Sequence, residues 1–209
     1  MATVVEQEAV LDEERLVTEF RGLTKPALPK TKLTFEQASK LAEGRSFELI
    51  QGRMVFKMPD DKHSDTQVLL GAELVNYFKA NPIGRVRTEF SLRLWPENPY
   101  EARTPDLSVI LNESFREERY GSRAPDLAIE ILSRDDSRNE LFEKAKLYFE
   151  KGSRMVWMID PYQKGVMVIT PHNQHWVTGL LTCPELLPGF SVNVQDILAW
   201  PAVTAKTIE

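Results

Sequence analysis

The sequence predicts a mixed α/β domain in which helices flank one sheet, and three observations carry that prediction. Residues 107–111 and 127–132 are short runs of β-branched and apolar residues, each preceded by a Pro-Asp pair, and proline is tolerated at the start of a strand. Residues 63–79 and 137–151 instead carry apolar side chains at helical spacing. Helical and extended patterns also alternate along the chain, as expected when helices pack on a sheet.

The elements follow in order. Thr34, with Glu36 and Gln37 behind it, is an N-cap signal for a short helix through Ala38, Leu41 and Ala42 that stops at Gly44. Residues 47–50 and 53–58 form a predicted hairpin around Gln51-Gly52, where glycine supplies the turn. The helix over 63–79 presents Leu69, Leu74, Val75 and Phe78 and is ended by Pro82 and Gly84. A strand is predicted over 86–94, then the two Pro-Asp strands, separated by a charged stretch over 112–123. Ser133 and Asp135 are candidate caps for the helix over 137–151, whose Leu141, Ala145, Tyr148 and Phe149 turn inward before Gly152. A strand over 155–159 stops at Asp160-Pro161, and residues 166–170 and 176–181 suggest a closing hairpin. The tail from Leu187 reads as less regular, with a turn at Pro188-Gly189.

A chain of 209 residues suits one domain, since at this size roughly 70% of the unfolded surface is buried. Residues 33–209 are assigned to it, and residues 1–32, polar and bearing Pro26 and Pro29, to a mobile arm or a short docking helix. The lone Cys183 excludes an internal disulfide framework and a cysteine-based zinc site, and reads as a small buried hydrophobe. No apolar run approaches the roughly 20 residues that span a bilayer, and the acidic N-terminus lacks the pattern of a signal peptide. The expectation is a soluble cytoplasmic protein that does not associate with membranes. Net charge is −5, but residues 1–14 hold five acids and no lysine or arginine, so the remainder balances at 26 basic against 26 acidic residues. Strong nonspecific DNA affinity is therefore not expected, although a local basic groove is compatible with that balance. Arg85, Arg87 and Arg93, with Arg116, Arg119 and Arg123, either line such a groove or form solvated faces.

The two Pro-Asp strands differ by one acid, Glu130, in an otherwise apolar run. If they pair antiparallel, the start of the first lies beside the end of the second, which brings Asp106 next to Glu130 and leaves Asp126 at the far end as a structural residue. Two such carboxylates repel unless a proton or cation lies between them, and a hard divalent metal is the simplest occupant. Lys144 lies 14 residues after Glu130, about two turns into the next helix, where a return across the sheet aims it at the acids. Carboxylates, lysine and metal together suit phosphodiester hydrolysis.

Four segments in order now carry a resemblance. They are Phe47-Glu48 through Gly52 to Val55; Thr104-Pro105-Asp106 into Ile110; Pro125-Asp126 through Glu130 to Ser133; and Lys144 followed by Tyr148, Gly152, Trp157, Asp160 and Pro161. With His63, they make the chain similar to the Uma-two family of restriction endonucleases in the PD-(D/E)XK nuclease superfamily. The resemblance implies a restriction-endonuclease-like sheet flanked by helices and a metal-dependent endonuclease acting on DNA through a metal-activated water. It also implies Mg²⁺, or Mn²⁺, as cofactor and a homodimer as the working assembly. Asp106 and Glu130 take the metal-ligand positions, with the carbonyl of Ile131 as a candidate third. Glu48 matches the early glutamate that helps hold metal or water, and His63 is a candidate for phosphate or water contact. Leu132 stands where the superfamily pattern has its lysine, and Lys144 is the lysine moved to the following helix.

Simpler roles compete with each assignment. Asp106 also suits a hydrogen-bonding residue at a strand start, Glu48 a solvated cross-strand partner, His63 a helix cap and Lys144 an ordinary helix lysine. Ser133 either caps or lies near the site, and His172 and His175 read as solvent-exposed. The competing function is a catalytically inactive nuclease-fold module for binding or assembly. A metal-free hydrolase with two carboxylates as acid and base fits less well, because no sugar-stacking aromatic cluster accompanies them.

Overall fold

The computed structural model describes residues 31–134 and 136–200. The expected N-terminal arm falls almost wholly outside the described residues, as does Asp135. The first element is helix α1 (Phe35–Ala42), whose N-cap Thr34 and Gln37 form a reciprocal capping box. A hairpin follows, β1 (Phe47–Ile50) and β2 (Arg53–Phe56), turned by Gln51 and Gly52, both at positive φ as a tight hairpin turn requires. Helix α2 (Asp61–Ala80) leads to β3 (Gly84–Thr88), β4 (Leu107–Leu111) and β5 (Leu127–Ile131). Helix α3 (Arg138–Glu150) carries the chain to β6 (Met155–Asp160), then β7 (Gly165–Ile169) and β8 (Gln174–Val177). Strands β9 (Leu180–Cys183) and β10 (Leu187–Asn193) and the short helix α4 (Val194–Leu198) complete the described chain.

Strands β3 to β8 form one six-stranded sheet in sequence order. All neighbours pair antiparallel except β5 and β6, which run parallel because α3 returns the chain across the sheet between them. The mixed α/β prediction matches this architecture. The expected antiparallel pairing of the two Pro-Asp strands is present, with Leu107 opposite Ile129 and Val109 opposite Leu127.

Period-two alternation divides the core between the faces. Leu107, Val109, Leu127, Ile129, Ile131 and Trp157 pack with Leu70, Leu74 and Phe78 of α2 and with residues of β9, β10 and α4. Ala128, Val156 and Met158 pack on the other face against Leu141, Ala145 and Tyr148 of α3. Helix α1 and the hairpin build a smaller cluster from Phe35, Leu41, Phe47, Leu49 and Met54. That hairpin is a separate two-stranded sheet, tied to the rest by backbone hydrogen bonds between Leu49 and Ala102.

Four expectations differ from the structure: the N-cap of α3 is Ser137 rather than Ser133 or Asp135, and the other three concern the strands. The strand expected over 86–94 ends at Thr88, because Glu89 adopts φ 45° and breaks the ladder; Leu92 then makes only bridges, to Arg103 and Gly121. The segment expected over 176–181 is two strands, and β9 pairs with β10 rather than with β7. Strand β8 lies at the sheet edge with Trp176 stacked so closely on Gly165 that a Cβ there would sit 2.3 Å from its ring. The tail from Leu187 is regular, a strand followed by a helical turn, and its Phe190, Val192 and Ile197 fill the core beside α2. No helix among the described residues is long and apolar enough to cross a membrane.

Candidate active site

Every residue of β5 is buried, so alternation decides where its one acid goes. Leu127, Ile129 and Ile131 enter the α2-side core, which leaves Glu130 on the face covered by α3. Lys144 and Tyr148 project from α3 one turn apart, toward that acid. Tyr148 Oη donates to Glu130 Oε1 at 2.7 Å, and Lys144 Nζ lies 3.3 Å from Glu130 Oε2 and 3.1 Å from Glu48 Oε1.

One step beyond the Leu107–Ile129 pair, the register sets Asp106 level with Glu130. Asp106 Oδ2 accepts the Ile131 N–H at 2.7 Å and lies 3.2 Å from His63 Nε2. Asp106 Oδ1 is 2.5 Å from Lys57 Nζ, which also stands 3.7 Å from Glu130 Oε2. The threonine of the first Pro-Asp phrase docks the hairpin: Thr104 Oγ1 donates to the Phe47 carbonyl at 2.8 Å, and its N–H donates to Glu48 Oε1 at 3.2 Å. Glu48 is accordingly buried, not a solvated cross-strand partner.

Glu48, His63, Asp106, Glu130 and Lys144 thus meet at one cavity of about 940 Å³, which Lys57 and Ile131 also line. Asp126 stands apart, accepting from the Leu111 N–H at 2.8 Å and the Ser114 hydroxyl at 3.1 Å at the other end of the strand pair. His172 and His175 are exposed near the β7–β8 turn. The three arginines expected on the strand part company. Arg85 stacks 3.5 Å over Phe115 and Arg87 4.2 Å over Phe90, whereas Arg93 leaves them to pair with Glu36 at 2.9 Å. Burial pushes the Cys183 thiol up to about 11, which keeps it protonated and inert.

The electrostatics follow from packing three carboxylates and two ammonium groups together with little exposure. Burial works to raise the pKa of Asp106, but Lys57 and His63 beside it prevail and hold the carboxyl well below the usual range. Glu130 goes the other way: burial raises it, outweighing the pull of Lys144 and Lys57. Burial would lower both lysines, yet Lys144 is held above the ordinary lysine range by Glu130 and Glu48, and Lys57 by Glu130 and Asp106. Burial and Glu130 raise Tyr148, which therefore stays a hydrogen-bond donor.

Two residues of the site, Lys57 and Tyr148, were not among the sequence candidates. Tyr148 reads as a core aromatic because its ring is one; only its position one turn after Lys144 hints at a hydroxyl aimed at the acids. Lys57 had a fainter signal. Glu48 pairs with Val55, so alternation puts Lys57, two residues on, on the same side of the hairpin as that glutamate. Replacing Tyr148 by phenylalanine should cost about 1–3 kcal/mol by denaturant unfolding, because it leaves Glu130 Oε1 without its donor.

Asp60 secures the rim. Its Oδ1 caps α2 by accepting the His63 N–H at 3.0 Å, while Oδ2 accepts the Arg134 N–H at 2.8 Å and the Tyr162 hydroxyl. The start of the helix that bears His63 is thereby tied to the loop after the strand that bears Glu130. Asp60→Ala should destabilise the protein by about 1–2 kcal/mol, the cost of a lost N-cap. The Asp60 pKa is lowered from its ordinary value of 3.8: partial burial opposes the shift, but the bonds from Tyr162, His63 and Arg134 prevail. A depressed carboxylate contributes stability above its unfolded pKa and loses it as pH falls through the folded one. The deficit of the alanine variant should therefore be constant at neutral pH and shrink as the pH drops below 3.8, as read by urea unfolding across pH.

A model of the Uma2 family, described as "Putative restriction endonuclease", matches residues 34–195. The chain belongs to the Uma2 family. Within that matched span lie both Pro-Asp strands, the hairpin with Glu48 and the helix with Lys144, so the cavity is built wholly from family segments. A crystal structure of a "putative nuclease belonging to DUF820" from Anabaena variabilis ATCC 29413 superposes with a TM-score of 0.67 at 26% identity, over 79% of this chain and 97% of that one. The cryo-electron microscopy structure of the DrdV–DNA complex gives a TM-score of only 0.36 at 11% identity, over 88% of this chain and 12% of that one. No curated protein matches the chain.

Proposed function

We propose that this Uma2 protein is a metal-dependent endonuclease that hydrolyses DNA phosphodiester bonds by attack of water. The observation that carries the reading is the meeting, in one cavity, of Asp106, Glu130, Lys144 and Glu48 from elements far apart in sequence. Membership of a restriction-endonuclease family and likeness to the Anabaena nuclease-like structure support the same chemistry.

Among the described residues, no three His, Cys, Asp or Glu side chains form a group that could hold a metal ion. Asp106 and Glu130 nevertheless flank one position, and a cationic ammonium stands between them. Magnesium is held through one or two carboxylates and keeps several waters, so this pair of hard oxygen donors fits it, with the Ile131 carbonyl as a candidate third. When bound there, Mg²⁺ or Mn²⁺ would polarise the phosphate and acidify a water.

The chain's own groups have separate tasks. His63 and the Ile131 N–H hold Asp106 Oδ2, which leaves Oδ1 to face the cation position. Tyr148 fixes Glu130 through Oε1 and leaves Oε2 facing the same way. Glu48 anchors Lys144, whose ammonium serves the negative charge that develops on a phosphate during attack. Asp136, Glu140 and Glu143 also line the cavity, so a polyanion would approach an acidic mouth and depend on cations for close contact. Two copies of the chain are the proposed assembly, because cutting both strands of a duplex takes two such sites.

The test is cleavage of supercoiled plasmid DNA with Mg²⁺ or Mn²⁺, with chelator as control. Metal-dependent nicking or linearisation that disappears in Asp106→Ala and Glu130→Ala supports the reading. Cleavage that survives both substitutions overturns the assignment of Asp106 and Glu130 to the chemistry, and no cleavage with any divalent ion favours the non-catalytic module.

A further inference from the structure

The two lysines at the acid site are not equivalent. Lys144 bridges Glu48 and Glu130, at 3.1 and 3.3 Å, on the side of the cavity made by α3. Lys57 arrives from the opposite side, just past the end of β2, and bridges Asp106 and Glu130 at 2.5 and 3.7 Å. Those last two carboxylates are the pair that a divalent cation would share, so Lys57 Nζ occupies the place such an ion needs. Its side chain is 15% exposed and sits on a flexible stem with a route to the cavity, whereas the acids are only 2–3% exposed. Removal of Lys57 from an empty site would leave Asp106 and Glu130 facing each other, with Lys144 beside Glu130 and His63 beside Asp106.

We propose that Lys57 is a built-in counter-ion of the acid site: its ammonium neutralises Asp106 and Glu130 while no metal is present and leaves that position when a divalent cation binds, so that it sets the metal affinity. The inference rests on reading Asp106 and Glu130 as metal ligands. It adds that the ligand pair never stands unneutralised, and that affinity for the ion is the difference between metal and lysine at one position. Lys57 in this role is a positioning residue, acting through the two carboxylates.

Mn²⁺ binding to the full chain, measured by electron paramagnetic resonance and by calorimetry, tests it. Lys57→Gln and Lys57→Met should each bind Mn²⁺ roughly tenfold or more tightly than the parent, because the ion no longer displaces a competing charge. Lys146→Gln removes an equal charge from exposed α3, where Lys146 pairs with Glu143 at 2.6 Å, and should leave the affinity unchanged. The variants should also melt lower than the parent without metal and gain more melting temperature from added Mg²⁺. A second measurement needs no variant: in the parent protein, acetylation of Lys57 by an amine reagent, read by mass spectrometry, should rise on adding Mg²⁺. Unchanged or weaker Mn²⁺ binding in folded Lys57 variants overturns the proposal, as does unchanged Lys57 protection, or no Mn²⁺ binding by any form. Tighter binding in the variants with no DNA cleavage by the parent would uphold the counter-ion and sink the nuclease. Cleavage by the parent with unchanged affinity in the variants would do the reverse.

Discussion

On the proposed reading, Asp106→Ala and Glu130→Ala each lower Mg²⁺-dependent DNA cleavage by about 100–1,000-fold, the scale for losing one electrostatic stabiliser of a transition state. The two acids lie level on adjacent strands and converge on one position, so either alone leaves a metal with half its protein charge. Their structural consequences differ, and that difference makes the test informative. Asp106 also accepts the Ile131 N–H and faces His63, so the alanine variant loses strand-end hydrogen bonding along with function. Asp106→Asn keeps the shape and one carbonyl acceptor while removing the charge. It should fold more nearly like the parent yet cleave no better than alanine, which plasmid assays beside circular dichroism will show. Substantial cleavage by the asparagine variant would remove Asp106 from the metal site.

Lys144→Met is expected to destabilise the protein by about 3–5 kcal/mol, the range for breaking a buried ion pair from one side, and to lower cleavage as well. The ammonium stands between Glu48 and Glu130, both nearly inaccessible, and methionine fills its volume without supplying charge. The cost arises from the carboxylates left behind rather than from a cavity. Adding Glu48→Gln to the lysine variant removes one of those charges and should restore a good part of the stability without restoring activity. A double-mutant cycle by urea unfolding measures this coupling, which is expected at 0.5–3 kcal/mol, the range for contacting residues. Additive losses would show that Lys144 is not holding the two glutamates together.

The readings that succeeded from sequence alone were those governed by local periodicity. Alternation along 127–131 was enough to place Glu130 opposite its apolar neighbours, and antiparallel pairing then brought Asp106 to it and sent Asp126 to the far end. The return of α3 across the sheet then aims Lys144 at the acids, from a position three residues after the buried Leu141 and four before the buried Tyr148. Each inference needed only two adjoining elements. Where the chain breaks a period, the pattern misleads: positive φ at Glu89 ends a strand that the apolar pattern would continue, and β9 changes partners after Val177.

The sequence by itself therefore determined the two Pro-Asp strands, their alternation and the facing of Asp106 and Glu130, because a side chain's direction along one element is set by the backbone repeat. Only the tertiary structure decided what neutralises those acids. Glu48 and Lys57 belong to a hairpin outside the main sheet, docked through Thr104 and Ala102, and no repeat relates that hairpin to the strands it covers. The location of Lys57 between Asp106 and Glu130 comes from long-range packing and from the cost of burying like charges without a cation between them.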